Sequence, residues 1–325
     1  MKQFVLLLFV TIIALMPVFS QEYMIIDTKT NEEIILREMA ERLGNYDAIF
    51  FGEVHENKIL HSLEIELLKM FHNNNKNLII SMEMFERDVQ PILDNYLSGE
   101  ITEEDFLANS RPWPNYEADY KPIIEFAKDN KLVVVAANIP RRYANMISRN
   151  GLNALDSLSV EEKKFITKEH IVFADEYKTR FIKTMKSNME HSSKMPKKMK
   201  MNFELIYAAQ CIKDDTMAES ILNYHRIPPR RKVIHFNGDF HSGKHLGTAQ
   251  KIQVLEPMLK VAVISPLGCE GEFVWEDEDL LEGEFLILFK EIPKEEESED
   301  EVAEEVKEVQ EEKNIEKETL EENNL

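Results

Sequence analysis

The chain has little of what usually announces a protein's chemistry. Its 325 residues include two cysteines, Cys211 and Cys269, too few to scaffold a fold. An oxidising compartment would allow them one bridge, and their spacing does not decide whether they meet. No G-x-x-x-x-G-K-[ST] and no G-x-S-x-G occurs, so the usual phosphate-cradling and serine acyl-transfer signatures are missing. The metal-binding helical spacing H-E-x-x-H is also missing, and no short-period repeat is visible. Basic residues are scarce: 39 Lys and Arg face 60 Asp and Glu, a net charge of −21 with no basic stripe, which argues against a nucleic-acid partner.

Charge and hydrophobicity are concentrated at the two ends. In the first twenty residues Lys2 is the single charge, an apolar run extends from Phe4 to Met16, and Pro17 precedes Val18-Phe-Ser20. This reads as a secretory signal peptide over 1–20, and the run is short for a membrane span, so the body is expected to be exported to a periplasm or cell envelope. An uncleaved anchor is the alternative. No lipidation cysteine follows the run, so membrane anchoring is not expected. From Glu291 to Leu325 sixteen acids accompany four lysines, which is −12 of the chain's charge. Such a segment buries too little apolar surface to offset ordering entropy, and 291–325 is expected to be a disordered acidic tail.

Between them, residues 21–290 are long enough for one large α/β domain. Short apolar runs predict strands at Ala48 to Gly52, Leu78 to Met82, Leu132 to Ala137, Lys232 to Phe236, Lys260 to Ile264 and Glu284 to Phe289. Continuous apolarity implies burial on both faces, as in central parallel strands. Helical patterns fall at Lys58 to His72, Asp88 to Leu97, Glu103 to Ala108, Asp119 to Asp129 and Arg141 to Asn150. In the first, Ile59, Leu63, Leu67 and Met70 make an apolar stripe that leaves Glu64, Glu66 and Lys69 away from it. Thr102-Glu-Glu-Asp105 and Ser159-Val-Glu-Glu162 read as capping boxes. The region of about 160–225 has no strand signal and is expected to be a helical insertion over the sheet, placed as a lid. The fold class is thus α/β: a mixed, mainly parallel central sheet flanked by helices, with a helical insertion and a disordered acidic C-terminal tail.

Two distant stretches look like copies of one device. Ile49-Phe-Phe-Gly-Glu-Val-His55 with Lys58 matches His235-Phe-Asn-Gly-Asp-Phe-His241 with Lys244 in the spacing of Phe, Gly, acid, His and Lys. Each follows a strand and precedes a predicted helix, where open α/β sheets place their chemistry. With Glu83, which ends a third strand, Glu53, His55, Asp239 and His241 are expected at one sheet edge. Glu53, His55, Glu83 and His241 could hold a divalent metal and lower the pKa of its water, with a spare carboxylate as general base. The bland account makes the acids helix caps and the histidines neutral loop donors.

Three further segments reach the same edge. Arg111-Pro-Trp-Pro-Asn-Tyr116-Glu-Ala-Asp-Tyr120 fixes an extended loop bearing Trp113, Tyr116 and Tyr120, an aromatic wall for a planar ligand or a loop pinned to the core. Asn138-Ile-Pro-Arg-Arg-Tyr143 follows a strand, and an arginine there, Arg141 or equally Arg142, would clamp a carboxylate or a haem propionate, unless the pair is only a solvated helix face. Tyr207 to Ile221 reads as one helix in which Gln210 and Asp214 interrupt an apolar face. A buried hydrogen-bond network orienting the histidine loops is the favoured reading there.

Six of these motifs, Gly-Glu-Val-His55, Met-Glu-Met-Phe85-Glu-Arg, Pro-Trp-Pro-Asn-Tyr116, Ala-Ala-Asn138-Ile-Pro-Arg, Asp214-Asp-Thr-Met-Ala and Gly-Asp-Phe-His241, occur in the order seen in the ChaN-like family of haem-binding uptake proteins. The chain resembles that family from about Ile49 to Leu246. The resemblance implies an exported, iron-linked protein with haem as cofactor or cargo, stacked between the subunits of a homodimer through a tyrosine ligand. Tyr116 and Tyr120 are the tyrosines expected near iron, with Trp113, Arg141, His55 and His241 lining the pocket. The wider grouping includes Tiki metalloproteases and erythromycin esterases, whose matching loops carry metal or catalytic roles. The alternative is therefore a metal-dependent hydrolase, with Glu53, His55 and His241 catalytic. The acidic turn at Asp239 and the tail depart from the family pattern.

Overall fold

The computed structural model describes residues 21–191 and 202–291. The leader at 1–20 and the acidic tail beyond 291 lie outside the described residues. In chain order the first half runs β1 (Tyr23–Asp27), β2 (Glu32–Ile34), α1 (Leu36–Leu43), β3 (Ala48–Glu53), α2 (Lys58–Asn74), β4 (Leu78–Glu86), α3 (Gln90–Ser98), α4 (Glu103–Ser110), α5 (Lys121–Asn130) and β5 (Val133–Asn138). The second half adds α6 (Arg141–Asn150), α7 (Glu176–His191), α8 (Phe203–His225), β6 (Lys232–Gly238), α9 (Gly247–Leu255), β7 (Val261–Cys269) and β8 (Phe285–Lys290). Among the described residues no helix is long and apolar enough to cross a membrane.

The strands form one eight-stranded sheet in the order β2-β1-β8-β7-β3-β6-β4-β5. From β8 to β5 neighbouring pairs are parallel, and β1 and β2 extend the sheet antiparallel from β8. All six expected strands are present. β4 runs on to Glu86 past a register shift after Met82, and β7 runs on to Cys269 because its end pairs with β8. Expectation missed β1, β2 and α1, which are short, while α9 is the helix expected after the second histidine loop.

Alternation along the strands divides the core. Ile49, Phe51, Ile80, Met82, Ile234, Phe236 and Ile264 pack with residues of α1 to α5, whereas Ala48, Phe50, Ile79, Val233 and Val263 pack with α8 and α9. α8 therefore lies directly on the sheet through Ala218, Ile221 and Leu222, and in this part the block expected to be a lid is a core layer. The Thr102–Asp105 capping box opens α4, while the Ser159–Glu162 box opens only the short turn Glu162–Phe165. On α2, capped by Asn57, the buried face carries Leu60, Leu63, Leu67, Leu68 and Phe71. Ile59 and Met70 pack only at its margin. That rotation brings Glu64, expected away from the core, to 0% exposure.

Parallel pairing of β3 with β6 sets Gly52 opposite Asn237 and Glu53 opposite Gly238, so the two glycine–histidine loops are offset by one residue. Side chains alternate between sheet faces, and a one-residue offset sends matching positions to opposite faces. Glu53 consequently points between α2 and the turn at Tyr120 that precedes α5. Asp239 lies behind Gly52, where an added Cβ would come 2.6 Å from its Oδ1 and 3.0 Å from the Ile264 carbonyl. The second contact is backbone and cannot yield, so Gly52→Ala is expected to destabilise by about 1–3 kcal/mol through overpacking. A fall in the urea midpoint without a change in slope would register it.

Candidate functional site

The carboxyl ends of β3, β4 and β6 meet at one edge, and three side chains converge there. His55, in the loop between β3 and α2, directs Nδ1 to Glu53 Oε1 at 2.6 Å and keeps its side chain 49% exposed. Its Nε2 lies over Gly238: a Cβ added there would be 3.0 Å from that nitrogen and 3.8 Å from Glu83 Oε2. Glu83 accepts the Gly238 N–H at 2.9 Å and pairs with His241 Nε2 at 3.2 Å. His241 is buried because the turn Asp239–His241 folds its ring back beneath α8. There its Nδ1 meets Asp214 Oδ1 at 2.6 Å, and Asp214 also accepts from Thr248 Oγ1 at 2.9 Å and from Tyr177 OH at 2.8 Å. Gln210 donates to Tyr177 OH at 3.2 Å and covers the imidazole. The network reading of Gln210 and Asp214 thus matches the geometry.

Electrostatics make the two imidazoles different. Burial alone would lower the His241 pKa, but Glu83 and Asp214 outweigh it and push the ring up to about 10. Burial would raise Glu83, yet His241 and then His55 hold it well below the ordinary carboxylate range. At His55 burial works downward, and the hydrogen bond to Glu53 with the Glu83 charge carries it upward overall. Behind them His235, bonded to Ser81 at 2.9 Å, is pushed down to about 3 by burial and stays neutral. His241 is thus engaged at both nitrogens, Nδ1 with Asp214 and Nε2 with Glu83.

On the opposite face of β3 a second polar cluster is buried. The Tyr120 hydroxyl donates to Glu53 Oε1 at 2.7 Å, and His61 and Glu64 of α2 approach the other side of the same carboxylate. Among the described residues, Glu53, His61 and Glu64 form the group whose ligand atoms all lie within 4.8 Å of one another, in place of the expected set of Glu53, His55, Glu83 and His241. Burial, then the Glu53 charge, raises Glu64 well above the ordinary range, and burial lowers His61. Sequence reasoning passed over His61 and Glu64, although their i, i+3 spacing on one helical face was a usable signal. Tyr177 and Thr248 carried no comparable mark.

The remaining expected site residues are dispersed. Tyr116 and Tyr120 form a single π turn and are only 3% and 1% exposed. Tyr116 packs on Phe85 and Phe106, Tyr120 bonds Glu53, and burial raises both phenols. Expected near iron, both are instead core residues, because the loop folds its aromatics inward. Trp113 is half-buried with its ring edge-on to His55, 5.1 Å between centroids. Arg141 is exposed on the first turn of α6, its N–H on Glu86 at 3.0 Å, while Arg142 pairs with Asp88 at 2.7 Å. Asp239 accepts from Ser265 at 2.8 Å, away from the imidazoles, and burial lifts it to about 6. Cys211 and Cys269 are buried free thiols, so no bridge joins them.

His241 titrates near 10 in the fold against an ordinary 6.5. A raised folded pKa contributes stability fully below the unfolded value, and that contribution disappears as pH climbs through the folded one. His241→Gln is expected to flatten the fall of Tm between those two pH values. Parallel Tm curves for parent and variant would contradict the proposed ion pairs.

Comparison with known proteins agrees with this architecture. The chain is similar to a solved structure described as "Cofacial heme binding to ChaN of Campylobacter jejuni", with a TM-score of 0.64 and 19% identity over 83% of this chain and 97% of that one. It is also similar to Protein RETICULATA-RELATED 5, chloroplastic, of Arabidopsis thaliana, 25% identical over 135 residues, which is 39% of this chain and only 18% of that protein. A family model described as haem-binding uptake, Tiki superfamily, ChaN, matches residues 39–252, a span running from α1 through α9 and enclosing both histidine loops. The chain belongs to that ChaN family of haem-binding uptake proteins.

Proposed function

We propose that the protein binds haem at the sheet edge marked by His55 and Trp113, as an exported component of haem or iron uptake. The observation that carries this is the state of His55: Glu53 holds its Nδ1 at 2.6 Å, and the ring remains 49% exposed. A carboxylate behind an imidazole fixes the tautomer and increases its basicity as a ligand, so Nε2, which rests over Gly238, is the nitrogen that would meet an iron atom once the exposed ring turns outward. Tyr120 serves through Glu53, donating to the same Oε1 that holds His55, rather than by touching iron. Trp113 beside the ring and exposed Val54 next to it offer apolar surface to a porphyrin. Arg141, at the same carboxyl edge, is the cation suited to a propionate. An imidazole on an open surface covers one face of a haem, and a second copy of the chain would close the other.

A second reading has its own support. Two acid–imidazole pairs, His55 with Glu53 and His241 with Asp214, bracket Glu83 over Gly238. That arrangement suits acid–base hydrolysis, with His55 as the titrating group and His241 as a fixed cation.

Haemin added to the haem-free protein is expected to give a saturable Soret shift. His55→Ala should abolish it, Glu53→Gln should weaken binding about 10–100-fold as outer-shell losses do, and Tyr116→Phe should leave it unchanged. No shift defeats the haem reading. A shift retained in His55→Ala and lost in Tyr120→Phe would move the ligand to the tyrosine.

A further inference from the structure

We propose that the chain carries a second, buried site for one divalent cation, built from Glu53, His61 and Glu64 between β3 and α2. It lies on the sheet face opposite His241.

α2 covers the sheet, and its buried positions otherwise carry Leu60, Leu63, Leu67, Leu68 and Phe71. Within that face His61 and Glu64 are 6% and 0% exposed, and Glu53 from β3 is 2% exposed. Ionisable groups so placed need polar partners. None comes from a basic side chain: among the described residues no Lys or Arg pairs with Glu53, Glu64 or Asp119, and their ion-pair partners are imidazoles. Hydrogen bonding is also incomplete. Glu53 Oε1 is taken by His55 and Tyr120, whereas Glu53 Oε2 and Glu64 Oε1 have no hydrogen-bond partner. A buried carboxylate and the carboxyl beside it thus turn unfilled acceptors into one small volume, an arrangement that either a proton shared between Glu53 and Glu64 or a cation satisfies.

The distances fit an ion. His61 Nδ1 makes a 2.9 Å hydrogen bond with Glu64 Oε2, which an ion would replace, and lies 3.7 Å from Glu53 Oε2. A tetrahedral centre with bonds of about 2.1 Å separates its ligand atoms by roughly 3.4 Å. The ring's outer nitrogen supports the same assignment. His61 Nε2 has no hydrogen-bond partner but faces Asp119 Oδ2 at 3.6 Å, a small shift short of a hydrogen bond, and Asp119 is itself held by Asn115 Nδ2 at 2.8 Å. A carboxylate behind the non-ligating nitrogen is the usual outer shell of a metal-bound histidine. Tyr120 lies edge-on to the His61 ring, 5.3 Å between centroids, and closes the volume. One nitrogen and two carboxylates, with no thiolate, select a first-row divalent ion such as Zn²⁺ or Mn²⁺ over soft monovalent copper.

The test uses the full chain, freed of haem and stripped with a chelator, titrated calorimetrically with Zn²⁺ and with Mn²⁺. One tight equivalent is expected for at least one ion. Glu64→Gln and His61→Gln should lose it, Asp119→Asn should weaken it about 10–100-fold, and His241→Gln should retain it. Circular dichroism verifies that each variant folds. Should the His61 and Glu64 variants not fold, anomalous diffraction from parent crystals grown with Zn²⁺ decides: a peak between Glu53, His61 and Glu64 supports the site. No saturable binding, a peak elsewhere, binding unchanged in a folded Glu64→Gln, or loss in His241→Gln would each overturn it. Haem binding is read separately by absorbance, so failure of either assignment leaves the other measurable.

Discussion

The carboxylate of Glu53 organises this molecule's polar interior. It ends a buried parallel strand with its side chain wholly shielded from solvent, yet it reaches His55, Tyr120 and His61. A buried carboxylate costs several kcal/mol in desolvation unless its oxygens are matched. Its partners come from three different elements: the loop after β3, the π turn before α5, and α2. The requirement to satisfy one anion therefore dictates how the aromatic loop and the second helix dock on the sheet. It also explains the inward turn of Tyr120, which is held by that anion.

The two histidine loops show how register, more than local sequence, decides what a motif does. Their spacing is the same, but the one-residue offset between β3 and β6 gives their acids opposite destinations. Glu53 joins the helices of one face, while Asp239 bonds Ser265 behind Gly52. His55 remains at the mouth, and His241 is locked between Glu83 and Asp214. One ring is free to meet a ligand, and the other supplies a fixed positive charge that keeps Glu83 ionised.

Much of the architecture was legible because burial on both faces leaves continuous apolar runs, as in Ile49-Phe-Phe and Leu78-Ile-Ile. The convergence of His55, Glu83 and His241 was legible too, since parallel strands send their ends to one edge. The antiparallel β1 and β2 were not, because an edge strand of three to five residues offers too little pattern. Glu64 was misplaced for a different reason. The stripe drawn through Ile59 and Met70 is rotated from the true buried face by about one residue, and a charged residue inside a helix core contradicts the pattern used to find that core. The aromatic loop failed similarly, since composition does not say whether phenols face a ligand or a partner such as Glu53.

Because Glu53 belongs to both polar clusters, β3 acts as a coupling element between the two faces of the sheet. Anything that draws the carboxylate toward His61 loosens its hold on His55, and anything that strengthens the His55 contact withdraws charge from the α2 side. Thermodynamic linkage makes such cross-talk reciprocal. Occupancy on one face would thus tune affinity on the other by an equal factor, with Glu53 as the side chain the two clusters share.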